Sequence, residues 1–239
     1  MSPSLVFPLM AALLVAVGVL ATVAERRRRR RLAEFFQARA WTLEFTRDPA
    51  ARAAAFRPFV GLSSLLKTGD RGIKWNARLS LNGLSLCVIE HSYTTGAGKS
   101  QSTHVHTVGA VKCPQSWPRV TLTRENLFTR IGTALGMTDL DLENPEFNRR
   151  WRVDADDENF ALAAISPQVQ ELLASDGGES SEAWRLGSGL LAVSVARRLG
   201  PERIGRLLDR FGEFVDAMEP VMRDQLIACD PAPSHTDPD

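Results

Sequence analysis

The chain has 239 residues and a formal net charge of +1 at pH 7, with 29 Lys and Arg set against 28 Asp and Glu. Six of the cations stand in one run, Arg26, Arg27, Arg28, Arg29, Arg30 and Arg31. Net +1 less these six leaves −5 for the rest, a mildly acidic balance that argues against a general nucleic-acid binder. The three cysteines, Cys87, Cys113 and Cys229, are odd in number and form no C-x-x-C pair; in a reducing cytoplasm they read as buried or inert thiols, not as a disulfide framework.

Leu5 to Ala24 carry no charge over twenty consecutive residues. As a helix they would cover about 30 Å, the thickness of a bilayer's hydrocarbon core, with every backbone polar group satisfied internally. The arginine run then sets the orientation by the positive-inside rule: Met1 outside, residues 32–239 in the cytoplasm, the protein single-pass in the plasma membrane. A cleaved signal peptide fits less well, because Met1 to Pro8 lack a basic side chain and six arginines just beyond the apolar run oppose export. The lipid bilayer is therefore the first expected partner. The arginines can also draw anionic lipid headgroups, at about 1 kcal/mol per basic residue near the surface, although orientation alone accounts for them. No aromatic residues are interleaved with the run, as nucleic-acid binding would want.

Beyond the anchor, Leu32 to Ala40 continues the helix, and Trp41, Leu43 and Phe45 alternate with polar residues in a strand period. Asp48-Pro49 starts a short alanine-rich helix that ends before Pro58, and residues 61–71 read as a loop. Ile73 to Leu81 and Leu84 to Val88 alternate on either side of Asn82-Gly83, which makes a β-hairpin. The second strand runs on towards Tyr93, Thr94 to Ser102 forms a polar loop, and Thr103 to Cys113 is a third strand. After a short extended Arg119 to Leu122, Thr123 can cap a helix carrying Leu127, Phe128, Ile131 and Leu135, stopped by Gly136. Trp151 and Val153 mark another strand. Asp154 or Asp156 starts a helix through Ile165, and Ser166-Pro167 starts the next, which ends at Gly177-Gly178. Trp184 to Leu186 and Leu190 to Ala196 pair about Gly187 and Gly189. Gly200-Pro201 opens an amphipathic helix through Ile204, Leu207, Leu208, Phe211, Val215, Met218 and Met222, which Pro220 should kink or split.

The expected fold is α+β: an N-terminal transmembrane helix, an antiparallel meander with interspersed helices, and a C-terminal amphipathic helix. Many strands followed by a helix would also suit a pleckstrin-homology-like barrel, on topology alone. The predicted divisions are 1–31 (anchor with its arginine stop), 32–229 (one cytoplasmic domain) and 230–239 (a polar, disordered tail).

No chemical motif survives its context. GAGKS (Gly96 to Ser100) ends like a phosphate-binding loop, but Tyr93 replaces the required glycine and antiparallel strands flank the segment. Asp154, Asp156, Asp157 and Glu158 suggest a calcium loop, yet Asn159 stands at the glycine position and Ile165 at the bidentate acid; a helix N-terminus explains them. Asp139, Asp141 and Glu143 read as a solvated loop, Ser188 between two glycines as a turn, and Cys87 as a buried strand residue. His104 and His106 share a strand face on which a hairpin register can set one of them beside His91, making a metal site geometrically possible, but no third ligand is placed there. Neither a catalytic residue nor a cofactor or metal site is assigned.

Tyr93-Thr94-Thr95, the Pro114 to Pro118 segment, Asn144 to Asp157 (NPEFNRRWRVDADD) and Ile165-Ser166-Pro167 resemble a bacterial, actinobacterial-type family of single-pass membrane proteins whose soluble domain has no assigned function. The resemblance covers about residues 90–175 and implies an anchored cytoplasmic domain with no catalytic residue to carry over. The expectation is a non-enzymatic interaction or scaffolding domain at the inner face of the membrane, with a protein partner that the sequence does not identify. The alternative is a membrane-tethered hydrolase or metal-dependent enzyme using His91, His104 and His106.

Overall fold

The computed structural model describes residues 3–45, 48–62, 65–124, 140–175 and 177–229, without the side chains of residues 3–9, 11, 14 and 99. The chain divides into two compact units, Met1–Ala40 and Trp41–Asp239. The first is a single helix, α1 (Pro3–Gln37), which carries the predicted juxtamembrane continuation almost to its end. Among the described residues no helix is long and apolar enough to cross a membrane. The predicted span Leu5–Ala24 is thus not supported by them.

The second unit is α+β. Its strands are β1 (Thr42–Glu44), β2 (Ile73–Leu81), β3 (Leu84–Thr95), β4 (Ser102–Lys112), β5 (Val120–Arg124), β6 (Trp151–Ala155), β7 (Glu182–Leu186) and β8 (Leu190–Val195). Its helices are α2 (Pro49–Phe56), α3 (Pro145–Asn148), α4 (Glu158–Ala164), α5 (Pro167–Ala174), α6 (Pro201–Asp216) and α7 (Pro220–Cys229). All eight strands join one antiparallel sheet in the order β1-β2-β3-β4-β8-β7-β5-β6. With β1 and β6 at its two ends the described sheet is open, which departs from the pleckstrin-homology-like barrel. The first four strands form the expected meander; β8 then inserts beside β4, and the order of the rest follows from that crossover.

Local chemistry explains most elements. Asn82 and Gly83 both take positive φ (49° and 78°), the two-residue hairpin geometry that suits the twist of the flanking strands. Asp48 caps α2 by accepting from the Ala51 amide at 2.9 Å. Ser166 caps α5, accepting from Val169 N while its hydroxyl donates to Ala217 O at 2.8 Å, and so ties α5 to the end of α6. Pro220 splits the last helix into α6 and α7.

Four expectations change. Residues 61–71 are not an open loop: short 3-10 turns at Arg57–Leu62 and Gly69–Gly72 bury Phe59, Leu62 and Leu66. The cap of α4 is Asp157, which accepts from Phe160 N at 2.8 Å, because Asp154 and Asp156 are taken up by Arg119. Thr123 lies within β5, and the rest of the helix it was expected to cap, residues 125–139, is outside the described residues, as is the tail 230–239. α5 ends at Ala174, before Gly177-Gly178.

The two faces of the sheet are covered differently. On one, Trp184 stacks on Phe211 and Phe214 of α6, with ring centroids 5.7 and 4.2 Å apart. On the other, α2 and the 3-10 turns bring Ala55, Phe59, Leu62 and Leu66 onto Cys87, Ile89, Val108, Ala110 and Ala192.

Candidate functional site

The second face, beyond this cover, carries the features with the most chemistry. By strand alternation Cys87, Ile89, His91 and Tyr93 of β3 share it with His104, His106, Val108 and Ala110 of β4. The register sets His91 opposite His106 and Tyr93 opposite His104, so the convergence that the spacing allowed does occur. Tyr93 stacks on both β4 imidazoles, at centroid distances of 5.0 Å to His104 and 5.8 Å to His106. His91 is fully buried; its Nε2 donates to Gly69 O at 2.9 Å, which leaves its Nδ1 a bare acceptor, and no partner meets it. A side chain at Gly72 would run into this ring.

Burial favours the neutral form of His91 and His106. Burial lowers the pKa of His91, Lys74 adds to the shift, and the Gly69 carbonyl opposes it. Burial, then repulsion from His91 and His104, pushes His106 down to about 4. Among the described residues no group of three His, Cys, Asp or Glu could hold a metal. Glu90, the acid nearest in sequence, pairs with Arg198 at 3.3 Å.

A pH dependence follows. The unfolded His106 titrates near 6.5 and the folded one near 4. Between those values the unfolded chain binds more protons, so this residue destabilises the fold as pH falls from about 6.5 to about 4, and by no further amount below. That difference corresponds to at most about 3–4 kcal/mol. The difference in melting temperature between wild type and His106→Gln should therefore move against the wild type as pH is lowered from 7 to 4.5. Parallel curves would contradict it.

Next to His106 the same face opens into a groove of about 240 Å³ floored by β8, β7 and β5. Register places Arg185 beside Ala192 and Thr121, and one step along, Ala183 beside Ser194 and Thr123. Leu62 and Leu65 form a wall, and Ser181, Ala196 and His106 line the far end. The lining is mostly apolar, of small side chains. Arg119 occupies both nearby carboxylates, Asp154 at 3.2 Å and Asp156 at 2.8 Å, and the contact with Arg119 holds Asp156 below the usual carboxylate range.

Arg26 to Arg31 lie in α1, where Arg28 and Arg29 reach Glu25 and Arg30 reaches Glu34. The GAGKS segment turns between β3 and β4 through Gly96 and Gly98 at positive φ, followed by one 3-10 turn and no helix. Ser188 sits at φ 53° between Gly187 and Gly189. Cys87 and Cys113 are buried and Cys229 is exposed; burial raises the Cys113 thiol to about 11, which keeps it protonated and inert. Asn144, Trp151 and Ser166 of the family-like segments are a helix cap, a core residue and a helix cap.

No protein-family model matches this chain, and no curated protein does. Among solved structures it is similar to the crystal structure of the mycobacterial trehalose monomycolate transport factor A, TtfA. The TM-score is 0.51 at 12% identity, over 80% of this chain and 96% of that one. At that identity the likeness is one of fold. It is compatible with the actinobacterial-type resemblance of residues 90–175, and it gives the sheet and its helices a precedent in a transport factor.

Proposed function

We propose that the protein is a membrane-anchored, non-enzymatic accessory factor whose cytoplasmic α+β domain engages a protein or lipid partner at the inner face of the plasma membrane. The observation that carries the reading is the uncharged run Leu5–Ala24 closed by Arg26 to Arg31, a span with its orientation signal. The shared fold with a transport factor favours an interaction or lipid-transport role over catalysis. The enzymatic alternative at His91, His104 and His106 gains no support from an acid or a third ligand beside the rings among the described residues.

Reporter fusions test the anchor. A reporter active only in the cytoplasm should work at the C-terminus, and full-length protein should sediment with membranes after carbonate washing. A C-terminal fusion active only outside the cytoplasm, or a mature chain starting near Glu25, would overturn the reading.

A further inference from the structure

Away from the histidine row, the same face of the sheet opens at its other end into a pocket of about 420 Å³. Its floor is Ser85 and Cys87 of β3 and Ala110 of β4, all with short side chains. Three cations from separate elements stand around it: Arg57 from the 3-10 turn that follows α2, Arg78 from β2 and Lys112 from β4. Register carries the placement. Arg78 pairs with Cys87, Cys87 pairs with Ala110, and Lys112 lies two residues beyond Ala110 on the same face. Arg78 and Lys112 thus flank the floor from either side, their Cα atoms about 12 Å apart by strand spacing and rise, a gap that two long side chains and one small ligand span.

No carboxylate is among the described residues that line this pocket. Glu44, two residues along β1 from the Thr42 partner of Arg78, accepts from Asn76 at 3.4 Å and is not in the lining. Among the described residues Arg57 and Arg78 form no ion pair. Other arginines of the domain do meet acids: Arg119 meets Asp154 and Asp156, Arg198 meets Glu90, and Arg210 meets Glu182. Three cations around an acid-free concavity, in a chain that is net −5 apart from its arginine run, concentrate one sign of charge. The low-dielectric walls of such a cleft focus that field on an anion. Arg57 and Arg78 are exposed, as capture of an anion from solvent requires.

We propose that this pocket binds a phosphate monoester, its phosphoryl group held by Arg57, Arg78 and Lys112 and its small polar body over Ser85, Cys87 and Ala110. A monoester carries close to two negative charges and three terminal acceptor oxygens, which suits three cations better than a single carboxylate does. Guanidinium groups meet those oxygens through paired, parallel hydrogen bonds, and a lysine adds a point charge. The volume has room for roughly fourteen groups the size of a water molecule at ~30 Å³ each, enough for a phosphate with a three-carbon or sugar-sized body. A soluble ester and the headgroup of phosphatidic acid share this chemistry. The inference goes beyond the role proposed above, since it requires neither the anchor nor a protein partner.

The test is calorimetric titration of full-length protein in a non-ionic detergent at low salt and pH 8, above the second phosphate ionisation near pH ~6. Glycerol 3-phosphate should bind saturably at one site, at least about tenfold tighter than glycerate, and glycerol should not bind. Arg57→Gln and Arg78→Gln should each weaken glycerol 3-phosphate by about tenfold. Arg206→Gln, an equal change of net charge at an exposed position of α6, should leave its affinity unchanged. Phosphatidic acid mixed into the detergent micelle distinguishes the sources, with phosphatidylglycerol, an anionic diester, as the control for micelle charge. Displacement of glycerol 3-phosphate by phosphatidic acid alone would support the site and assign it to a lipid headgroup; no displacement by either lipid would support it with a soluble ester. Melting curves establish that each variant folds; should one fail, the wild-type ranking of glycerol 3-phosphate over glycerate decides by itself. No saturable binding of glycerol 3-phosphate, equal affinity for glycerate, folded Arg57→Gln and Arg78→Gln proteins that bind like wild type, or a loss in Arg206→Gln as large as in Arg78→Gln would each overturn the proposal.

Discussion

A chain truncated at Gly200 should lose its cooperative thermal transition altogether. The segment removed holds α6, whose Ile204, Leu207, Leu208, Phe211, Phe214 and Val215 are all buried. At roughly 1.5–3 kcal/mol for each fully buried side chain, these six account for about 9–18 kcal/mol of burial. That equals or exceeds the net stability of an ordinary domain, about 5–15 kcal/mol. The loss would also uncover the sheet face around Trp184 and Val193, and strip the acceptors Gly212 O and Asp216 that hold Asn82 in the hairpin turn at 3.3 and 2.8 Å. α7 goes too, and with it the Gln225 partner of the Trp117 indole at 3.1 Å. Circular dichroism during heating decides it. A sigmoidal melt in the truncated protein would mean that the sheet holds together without its helical cover, against the packing described.

The elements legible in the sequence are those whose signal is local. Asn82-Gly83 between two alternating runs can form little except a hairpin, and Ser166-Pro167 little except a helix start. The apolar face of the last helix was visible because its period is that of the helix itself. Residues 61–71 misled because Gly61, Gly69 and Gly72 read as punctuation, whereas Leu62 and Leu66 dock on Ile89 and Val108, a long-range contact no window reveals. Of the candidate site, the histidine row was half legible: period two put His104 and His106 on one face, and only the register could say that His106 meets His91. The groove was not foreseen. It is assembled from β5, β7 and β8, and its floor depends on the crossover that sets β8 beside β4. One trace of it was present, in the strand Leu190 to Ala196, where Leu191, Val193 and Val195 alternate with Ala192, Ser194 and Ala196. A strand with one bulky face and one small face has room over the small one.

Glu182→Leu should destabilise the domain by about 3–5 kcal/mol, the range for stranding one member of a buried ion pair. Glu182 is fully buried and Arg210 is 5% exposed; Arg210 Nε donates to Glu182 Oε1 at 3.1 Å. The same carboxylate accepts from the Trp184 indole at 2.7 Å and from Glu179 N at 3.0 Å, so it satisfies three donors from β7, its preceding turn and α6. Removing it leaves a guanidinium held only by Ser175 Oγ at 3.3 Å and Leu173 O at 3.4 Å. For a domain of this size about 2–4 °C of melting temperature accompanies each kcal/mol, so the transition should fall by roughly 6–20 °C. The double variant Glu182→Leu/Arg210→Met separates two causes. If the stranded charge dominates, the double variant recovers most of the loss, because a buried pair replaced by apolar groups is often neutral. It should nevertheless remain below wild type, since Trp184 Nε1 and Glu179 N still lack the Glu182 acceptor. A single variant that melts within 2 °C of wild type would show that water reaches Arg210, and a double variant no better than the single would assign the cost to the orphaned donors instead of the charge.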